Sequence, residues 1–227
     1  QDVTVMGGAV SRLHAEKIAK IYELAVKNGS PVVAIYDSNG AKLSEGPEIL
    51  GAYGKILSTA NNLSGVVPQI SVVAGSCTGI SAMMAASADI VVMAEDAVLY
   101  LSDANGDVSA EAAAKVGAAH IVEKDAKSAV LRARDIVSML PLNNISIAPI
   151  AEGTMNPSAA SIDDSKAMNE MAELICDLGS VTELRADYGK AAYTALASIG
   201  GNTVGLVAAK GKLGSKSSEK IASFVRF

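Results

Sequence analysis

Residues 68–96, PQISVVAGSCTGISAMMAASADIVVMAED, constrain the fold of this chain more than any other stretch. The apolar run at 70–74 predicts a buried strand, and a turn bounded by Gly75 and Gly79 follows it directly. A helix of small residues is predicted over 79–88, and a second apolar run at 90–93 predicts another strand. Such a turn presents backbone N–H groups at a helix start, which favour negative charge. The stretch therefore predicts a strand–turn–helix–strand unit with a candidate anion site at its turn.

The rest of the chain repeats this order of strands and helices. Further apolar runs predict strands at 3–6, 32–36, 121–122 and 204–208. Helical periodicity predicts helices at 15–27, 45–63, 127–140 and 165–178. Residues 141–164 lack periodicity and contain Pro, Asn, Gly and Ser, which indicates a linker. The alternating order favours an α/β fold over an all-helical bundle.

A short internal repeat bears on the domain organisation. AEKIAKIYE at 15–23 returns as SEKIASFVR at 218–226, and each copy follows a predicted strand and a glycine-containing turn. Such a similarity between two helices also arises by chance, but the shared context favours duplication. We therefore expect a first domain at 1–150, a linker and helix at 151–180, and the start of a second domain at 181–227. Because the chain begins with Gln1 rather than Met, we interpret it as a piece of a longer protein.

Composition and charge narrow the class of protein. With 227 residues, 50% of them hydrophobic and 19% charged, the chain is long enough to bury a sizeable core. Its net charge of −5 argues against nucleic acid or an anionic membrane as a partner. Asp89 interrupts the longest apolar stretch, so we expect no membrane span. The scarcity of cysteine (Cys77 and Cys176) indicates a reducing compartment, the cytoplasm or, in a eukaryote, the mitochondrial matrix.

Two loops that follow predicted strands form the candidate site. The first is DSNGAK at 37–42, in which Asn39-Gly40 is a tight-turn dipeptide that tolerates left-handed backbone. The second is the turn at 75–80. If the two preceding strands are neighbours, both turns open at one edge of the sheet, where an N–H group from each converges on one oxygen as an oxyanion hole. The alternative is that Asn39-Gly40 is an ordinary turn and that Gly79 only permits close packing.

Longer stretches of the chain resemble a known family. The segment PQISVVAGSCTGISAMMAASADIVVMA resembles the central signature of the crotonase superfamily. Residues 1–57 and 63–79 are similar to the carboxyltransferase (beta) subunit of biotin-dependent acyl-CoA carboxylases of the propionyl-CoA carboxylase type, whose corresponding motifs read GGS, DSGGAR and PCAGG. Residues 189–227 resemble the entry into that subunit's second crotonase-like domain. The resemblance covers nearly the whole chain and is weakest at 101–120.

This resemblance implies a fold and an activity. The fold is a crotonase-like α/β fold, a spiral of repeated ββα units surrounded by helices. The activity is transfer of a carboxyl group between biotin on a carrier protein and the α-carbon of a short acyl-CoA. The thioester enolate oxygen is held by backbone N–H groups, and the step needs no metal and no base from the protein. The implied partners are a biotin carboxyl carrier protein and a biotin carboxylase, within a homo- or hetero-oligomer.

The family motifs also map onto individual residues of this chain. The oxyanion donors fall on Asn39, Gly40, Ala41, Gly79 and Ile80. The positions near CoA fall on Gly7, Gly8 and Lys42, although Gly7-Gly8 can also be an ordinary turn. In the family the active site lies between the first domain of one subunit and the second domain of another. A chain ending inside the second domain is therefore expected to oligomerise and to transfer little carboxyl group alone.

The chain departs from the family pattern at four positions of these loops. Ile80 replaces the second Gly, which places a bulky side chain where substrate approaches and makes positive φ costly. Asn39 replaces Gly, Lys42 replaces Arg, and Ser76 replaces Pro. Two alternatives therefore stay open: a decarboxylase component that runs the reverse transfer, and a non-catalytic paralogue that scaffolds an active subunit. An Ile80 side chain projecting into the acyl pocket would favour the scaffold.

The remaining reactive side chains are expected to be structural. Neither His14 nor His120 has a Cys or carboxylate at metal-ligand spacing, so no metal site is expected. Cys77 lies in the turn without an adjacent His or Lys that would activate it, so we expect an inert thiol.

Overall fold

The computed structural model describes residues 1–100, 106–157 and 165–227. Its helices are α1 (Arg12–Asn28), α2 (Glu48–Asn61), α3 (Ile80–Ala86), α4 (Ala110–Lys115), α5 (Ala126–Met139), α6 (Met168–Ile175) and α7 (Ser215–Arg226). Its strands are β1 (Val32–Ser38), β2 (Gln69–Thr78), β3 (Ile90–Ala94), β4 (Val98–Tyr100), β5 (Ile121–Glu123), β6 (Thr182–Glu183), β7 (Ala192–Ile199) and β8 (Asn202–Ala209). No helix in these ranges is long and apolar enough to cross a membrane. Two parts of earlier predictions lie outside the described residues: 158–164 of the linker, and 101–105, where the resemblance is weakest.

A parallel sheet forms the centre of the fold. Its strand order is β1-β2-β3-β5, and β4 pairs with the end of β2. β2 and β3 consist largely of buried apolar residues, as expected of parallel strands covered on both faces. The strands predicted at 32–36, 70–74, 90–93 and 121–122 are confirmed.

Helices α1 and α2 each bury one face against this sheet. The buried residues of α1 recur at the three- and four-residue spacing of an amphipathic helix: Ala15, Ala19, Tyr22 and Ala25. The helix predicted at 45–63 starts later than expected. A short 3-10 helix (Leu43–Glu45) comes first, and Gly46 then takes positive φ (63°) before Pro47. Because proline lacks an N–H group and fits the start of a helix, α2 begins directly after it.

The strand predicted at 3–6 is wrong. Thr4 donates hydrogen bonds to Asp2 Oδ1 from its backbone N–H (2.9 Å) and its hydroxyl (2.6 Å), which forms a local turn. Met6 and Gly7 then take positive φ (54° and 67°) within a 3-10 helix, Met6–Gly8, which no extended strand permits. Both copies of the repeat are helical, but only the second copy, in α7, follows a strand.

A second, antiparallel sheet has the order β6-β7-β8. β7 and β8 pair along their full length and are joined by Gly200-Gly201, which both take positive φ as a two-residue hairpin turn requires. The strand predicted at 204–208 is confirmed as part of β8, whereas the sequence does not predict β4, β6, β7 or α4. The predicted helix at 165–178 is shorter in the structure and forms α6.

One hydrophobic cluster joins the two sheets. It combines residues of β2, β3 and α5 with Leu184, which directly follows β6, and Leu196 of β7: Ile70, Val72, Ile90, Val92, Ala133, Ile136, Leu184 and Leu196. Polar contacts add to it, since Arg185 donates its N–H to the His120 carbonyl (2.8 Å) and accepts from the buried Lys220 ammonium (2.7 Å). The segment after β6, strand β7 and helix α7 therefore contribute residues to the same core as the parallel sheet. The domain boundaries near 150 and 181 stay a prediction.

Candidate functional site

Loop 37–42 and turn 75–80 lie side by side at the carboxyl end of β1 and β2. The two strands are parallel neighbours, and their register pairs Ser38 with Cys77 at this end. Gly40, with φ of 94°, packs against Thr78, because a Cβ atom at Gly40 would lie 3.3 Å from the Thr78 carbonyl oxygen. The prediction that both turns open at the same edge of the sheet is confirmed.

The Gly7-Gly8 segment lies directly against loop 37–42. Gly7 accepts a hydrogen bond at its carbonyl from the Asn39 N–H (2.9 Å). A Cβ atom at Gly8 would overlap the Asp37 carbonyl oxygen, so close packing explains glycine at this position. Contact of either glycine with CoA stays a prediction.

Asp37 links the loop to the turn. Its carboxylate Oδ1 accepts a hydrogen bond from the Ser76 N–H (3.1 Å), and a Cβ atom at Gly75 would overlap the same oxygen. Sequence reasoning on DSNGAK considered only the Asn39-Gly40 turn and missed this residue. The available signal was a carboxylate at the end of a predicted buried strand.

The five predicted oxyanion donors fall into two groups, those whose N–H is already hydrogen-bonded within the chain and those whose N–H is not. Three N–H groups are already bonded within the chain: Asn39 to the Gly7 carbonyl (2.9 Å), Gly40 to the Ser38 hydroxyl (3.1 Å) and Gly79 to the Tyr100 carbonyl (2.9 Å). The N–H groups of Ala41 and Ile80 have no partner within the described residues. Each turn therefore keeps one N–H group that can donate to an added oxygen.

The strain expected at Ile80 is absent, so that part of the prediction is wrong. Ile80 is the first residue of α3, and among the described residues positive φ outside glycine occurs only at Met6 and Arg185. Gly79 takes the unusual conformation instead, with φ of 58° and ψ of −135°. The Ile80 side chain is half-buried and packs against the main hydrophobic cluster. A branched side chain is therefore compatible with the backbone of this turn.

A charged cluster lies at the end of the loop, around Lys42. Lys42 forms an ion pair with Glu45 (Nζ–Oε1, 3.4 Å), and Glu45 Oε2 accepts a hydrogen bond from the Arg12 N–H (2.7 Å) at the start of α1. The bond from Arg12, followed by the contact with Lys42, lowers the pKa of Glu45. Lys42, the last residue of loop 37–42, is one-third exposed. Its contact with CoA stays a prediction.

The other reactive side chains fit structural roles. Cys77 is fully buried, and burial raises the pKa of its thiol to about 12, so the nucleophilic thiolate is negligible at neutral pH. Burial lowers the pKa of His120 to about 3, and its Nδ1 accepts a hydrogen bond from the Val91 N–H (3.1 Å). His14 belongs to the first turn of α1, where its N–H donates to the Ser11 cap (3.2 Å). Within the part of the chain that the structure describes, no group of three His, Cys, Asp or Glu residues could hold a metal.

A groove of about 880 Å³ lies at the opposite end of the sheet. It is lined by residues that precede β2 and β3, including Pro68 and Asp89, and by Leu196 of β7 and Lys220 and Phe224 of α7. The two turns follow β2 and β1 rather than precede them, so this groove is separate from the candidate site.

Comparison with known proteins agrees with this geometry. The profile of the carboxyl transferase domain matches residues 1–227. The chain is 34% identical over 257 residues to the propionyl-CoA carboxylase beta chain of Roseobacter denitrificans, covering all of this chain and 50% of that one. It is 32% identical over 255 residues to the methylmalonyl-CoA carboxyltransferase 12S subunit of Propionibacterium freudenreichii, covering 49% of it. It is also 32% identical over 257 residues to the methylmalonyl-CoA decarboxylase alpha subunit of Veillonella parvula, covering 50% of it. The chain thus spans about half the length of the curated relatives it matches.

A solved structure extends the comparison to the fold. The transcarboxylase 12S crystal structure, a hexamer assembly with hydrolysed methylmalonyl-coenzyme A bound, superposes with a TM-score of 0.91 at 32% identity, over 99% of this chain and 50% of that one. A single-chain, multi-domain long-chain acyl-CoA carboxylase superposes with a TM-score of 0.83 at 23% identity, covering 99% of this chain and 25% of that one, and shares the fold. The expected crotonase-like α/β fold is confirmed.

Proposed function

Because the chain belongs to the carboxyl transferase domain family, we propose that it supplies the acyl-CoA side of a carboxyltransferase site. The observation that carries this proposal is the pair of unbonded N–H groups at Ala41 and Ile80, one on each of two adjacent turns. Both residues occupy positions where the family's motifs hold a thioester oxygen. The donors fit this chemistry, since backbone N–H groups held in fixed positions stabilise the negative charge that develops on a thioester oxygen.

Carboxyl transfer to an acyl-CoA requires an enolate. When the α-hydrogen leaves as a proton, its electron pair delocalises and places negative charge on the thioester oxygen. Ala41 and Ile80 stabilise that charge by donating their N–H groups from the two turns. The α-carbon then forms a bond to the carboxyl carbon. Carboxybiotin on a carrier protein would supply that carboxyl group: the bond between its ureido nitrogen and the carboxyl carbon would break, and the freed nitrogen would take up the α-proton. The Ser38 hydroxyl, which accepts a hydrogen bond from the Gly40 N–H (3.1 Å), holds the backbone next to the donor Ala41.

Two alternatives differ in direction and in activity. The reverse transfer, from an acyl-CoA to biotin, uses the same oxyanion site and is favoured by the likeness to a decarboxylase subunit. Relative rates in the two directions with carrier-bound biotin distinguish the two enzymes. An Ile80 side chain projecting into the acyl pocket would favour the other alternative, a non-catalytic scaffold. The packing of Ile80 against the hydrophobic cluster supports the enzymatic alternatives instead.

Partners and location follow from the same proposal. We expect a biotin carboxyl carrier protein and a biotin carboxylase as partners, and an oligomer of the kind described for the 12S subunit. CoA is expected to lie near Gly7, Gly8 and Lys42. The cytoplasm or the mitochondrial matrix is the expected location, and one relative is a mitochondrial protein of Homo sapiens.

Calorimetric titration with acetyl-CoA, propionyl-CoA and free CoA tests the proposal. Both acyl-CoAs should bind, and more tightly than free CoA, because their thioester oxygen accepts hydrogen bonds from Ala41 and Ile80. Neutral hydrogen bonds contribute about 0.5–1.5 kcal/mol each, which predicts roughly a 2- to 12-fold difference for each bond formed. Absence of binding by all three compounds would contradict the enzymatic proposal and support the scaffold.

A further inference from the structure

We propose that Asp37 is a positioning residue for the candidate site, and that its carboxylate sets the distance between the donors Ala41 and Ile80. The inference rests on the proposed function, because it concerns the same pair of N–H groups. Asp37 itself does not touch the reacting atoms in this account. It acts by holding turn 75–80 against loop 37–42.

The pairing of β1 with β2 is interrupted at Asp37. Tyr36 pairs with Val73, but the next pair is Ser38 with Cys77. Residues 74–76 of β2 therefore lie opposite the single residue Asp37 of β1, which makes a bulge. Backbone pairing cannot continue across such a bulge, and bulges next to active sites re-aim the chain that follows.

The Asp37 side chain takes the place of the missing backbone pairing. Its Oδ1 accepts a hydrogen bond from the N–H of Ser76 (3.1 Å), the last residue of the bulge. Gly75 leaves room for this oxygen, because a Cβ atom there would overlap it. At Ser76, β2 also begins to pair with β4 instead of β3. The Asp37 carboxylate therefore bonds to β2 at the residue where β2 begins to pair with β4.

Both unbonded donors lie a short distance along the chain from this bond. Ile80 follows Ser76 by four residues, and Ala41 follows Asp37 by four residues. The intervening backbone is held on each side, by the bond from Gly40 to the buried Ser38 hydroxyl (3.1 Å) and by the bond from Gly79 to the Tyr100 carbonyl (2.9 Å). A shift at the bond between Asp37 and Ser76 is therefore transmitted to the separation of the two donors.

Asp89, which directly precedes β3, provides a matched control because it also bonds to the backbone of β2. Its Oδ2 accepts a hydrogen bond from the Gln69 N–H (2.8 Å), at the first residue of β2. Both carboxylates thus accept one backbone hydrogen bond from β2, at opposite ends of the strand. Asp37→Ala and Asp89→Ala each leave one N–H group of β2 without its acceptor, but only the first is next to the donors.

The experiment compares Asp37→Ala, Asp37→Asn and Asp89→Ala with the wild-type chain. The bound thioester is observed by NMR with propionyl-CoA labelled with ¹³C at the carbonyl, because donated hydrogen bonds shift that resonance downfield. Exchange of the propionyl α-hydrogens in deuterated buffer reports enolate formation. Affinity and thermal unfolding are measured alongside. Asp37→Asn retains an oxygen acceptor, so it still tests the inference if the alanine variant folds poorly.

We expect Asp37→Ala to keep most of its affinity, lose the downfield carbonyl shift and slow α-hydrogen exchange by about 100-fold, as a misplacement of about 1 Å does in other enzymes. Asp37→Asn should recover part of both signals. Asp89→Ala should show the wild-type carbonyl shift and exchange rate, even if its unfolding temperature falls as much as that of Asp37→Ala. A wild-type carbonyl shift and exchange rate in Asp37→Ala would overturn the inference.

Failure of the proposed function itself gives a different result. In that case propionyl-CoA does not bind the wild-type chain. The amide resonances of Ala41 and Ile80 in the ligand-free protein then test the inference alone. If the chemical shifts of these two amides change more in Asp37→Ala than in Asp89→Ala, the positioning role is supported. Equal shift changes in the two variants refute it.

Discussion

Replacing Ile80 by proline tests the oxyanion proposal with a change of one N–H group. Ile80 is the first residue of α3, and its N–H makes no hydrogen bond within the described residues. Proline is well tolerated at this first helical position, because no intrahelical bond is lost. The Ile80→Pro variant should therefore retain its fold and lack one of the two proposed donors. Ile80→Val is the matched control, since it keeps both the N–H group and a branched side chain.

Loss of one donor should slow the reaction more than it weakens binding of the substrate. Loss of one neutral hydrogen bond weakens binding of the ground-state thioester by about 0.5–1.5 kcal/mol, or roughly 2- to 12-fold. Loss of one oxyanion donor slows reaction by about 10²–10³-fold, or about 2.7–4 kcal/mol, because the charge develops in the transition state. The slowing of the reaction should thus exceed the loss of affinity by at least about tenfold.

Calorimetry and α-hydrogen exchange in deuterated buffer measure these two quantities. In the exchange, a buffer base takes the α-proton of propionyl-CoA and the solvent returns a deuteron, which mass spectrometry counts. We expect Ile80→Val to exchange at close to the wild-type rate and Ile80→Pro to exchange about 10²–10³-fold more slowly. Equal exchange rates in folded Ile80→Pro and Ile80→Val would refute the assignment of Ile80 as a donor.

Three further predictions concern stability and reactivity. In urea unfolding, Gly8→Ala should lower the free energy of unfolding by about 1–3 kcal/mol more than Gly65→Ala. Both glycines have positive φ, but only a Cβ atom at Gly8 would overlap another residue, Asp37. Equal losses of unfolding free energy in the two variants would contradict the packing account. The pKa of Asp177 is held below its ordinary 3.8, first by the Gly201 N–H (2.8 Å) and then by the Ser198 hydroxyl (2.8 Å). The stabilisation from this depressed pKa is fully present at a pH above the pKa of Asp177 in the unfolded chain. It is lost as the pH falls through the lower pKa of the folded chain. The free energy of unfolding of the wild type should therefore fall below about pH 4, and that of Asp177→Asn should fall less. Cys77 should resist iodoacetamide at pH 8 in the native chain and react after unfolding, because burial raises the pKa of its thiol to about 12; rapid native labelling at Cys77 would argue against that burial.

The parallel sheet was predictable from sequence because its strands carry their own signal. β2 and β3 contain runs such as ISVV and IVVM, whose apolar and β-branched residues indicate burial on both faces. The residues of β7, AYTALASI, are mostly small, and this strand depends on its hairpin partner β8. Residues 3–6 show the reverse case, since VTVM has the composition of a strand but forms a local turn with Asp2.

The site was predictable to the level of its two loops. Glycines and an Asn-Gly dipeptide after neighbouring strands indicate where the backbone turns sharply, and the structure places those turns together. Which N–H groups remain unbonded depends on acceptors outside each turn, such as the Gly7 and Tyr100 carbonyls. The role of Asp37 likewise depends on Ser76, 39 residues away. Such pairs are set by tertiary packing, and a single sequence does not encode them in a local pattern.

Backbone amide NMR during titration with propionyl-CoA tests the central claim most directly. The account predicts that the amide protons of Ala41 and Ile80 move downfield as their N–H groups bond to the thioester oxygen. Asn39, Gly40 and Gly79 should move less, because their N–H groups are already bonded within the chain. Binding that leaves Ala41 and Ile80 unchanged while these three residues shift would contradict the account.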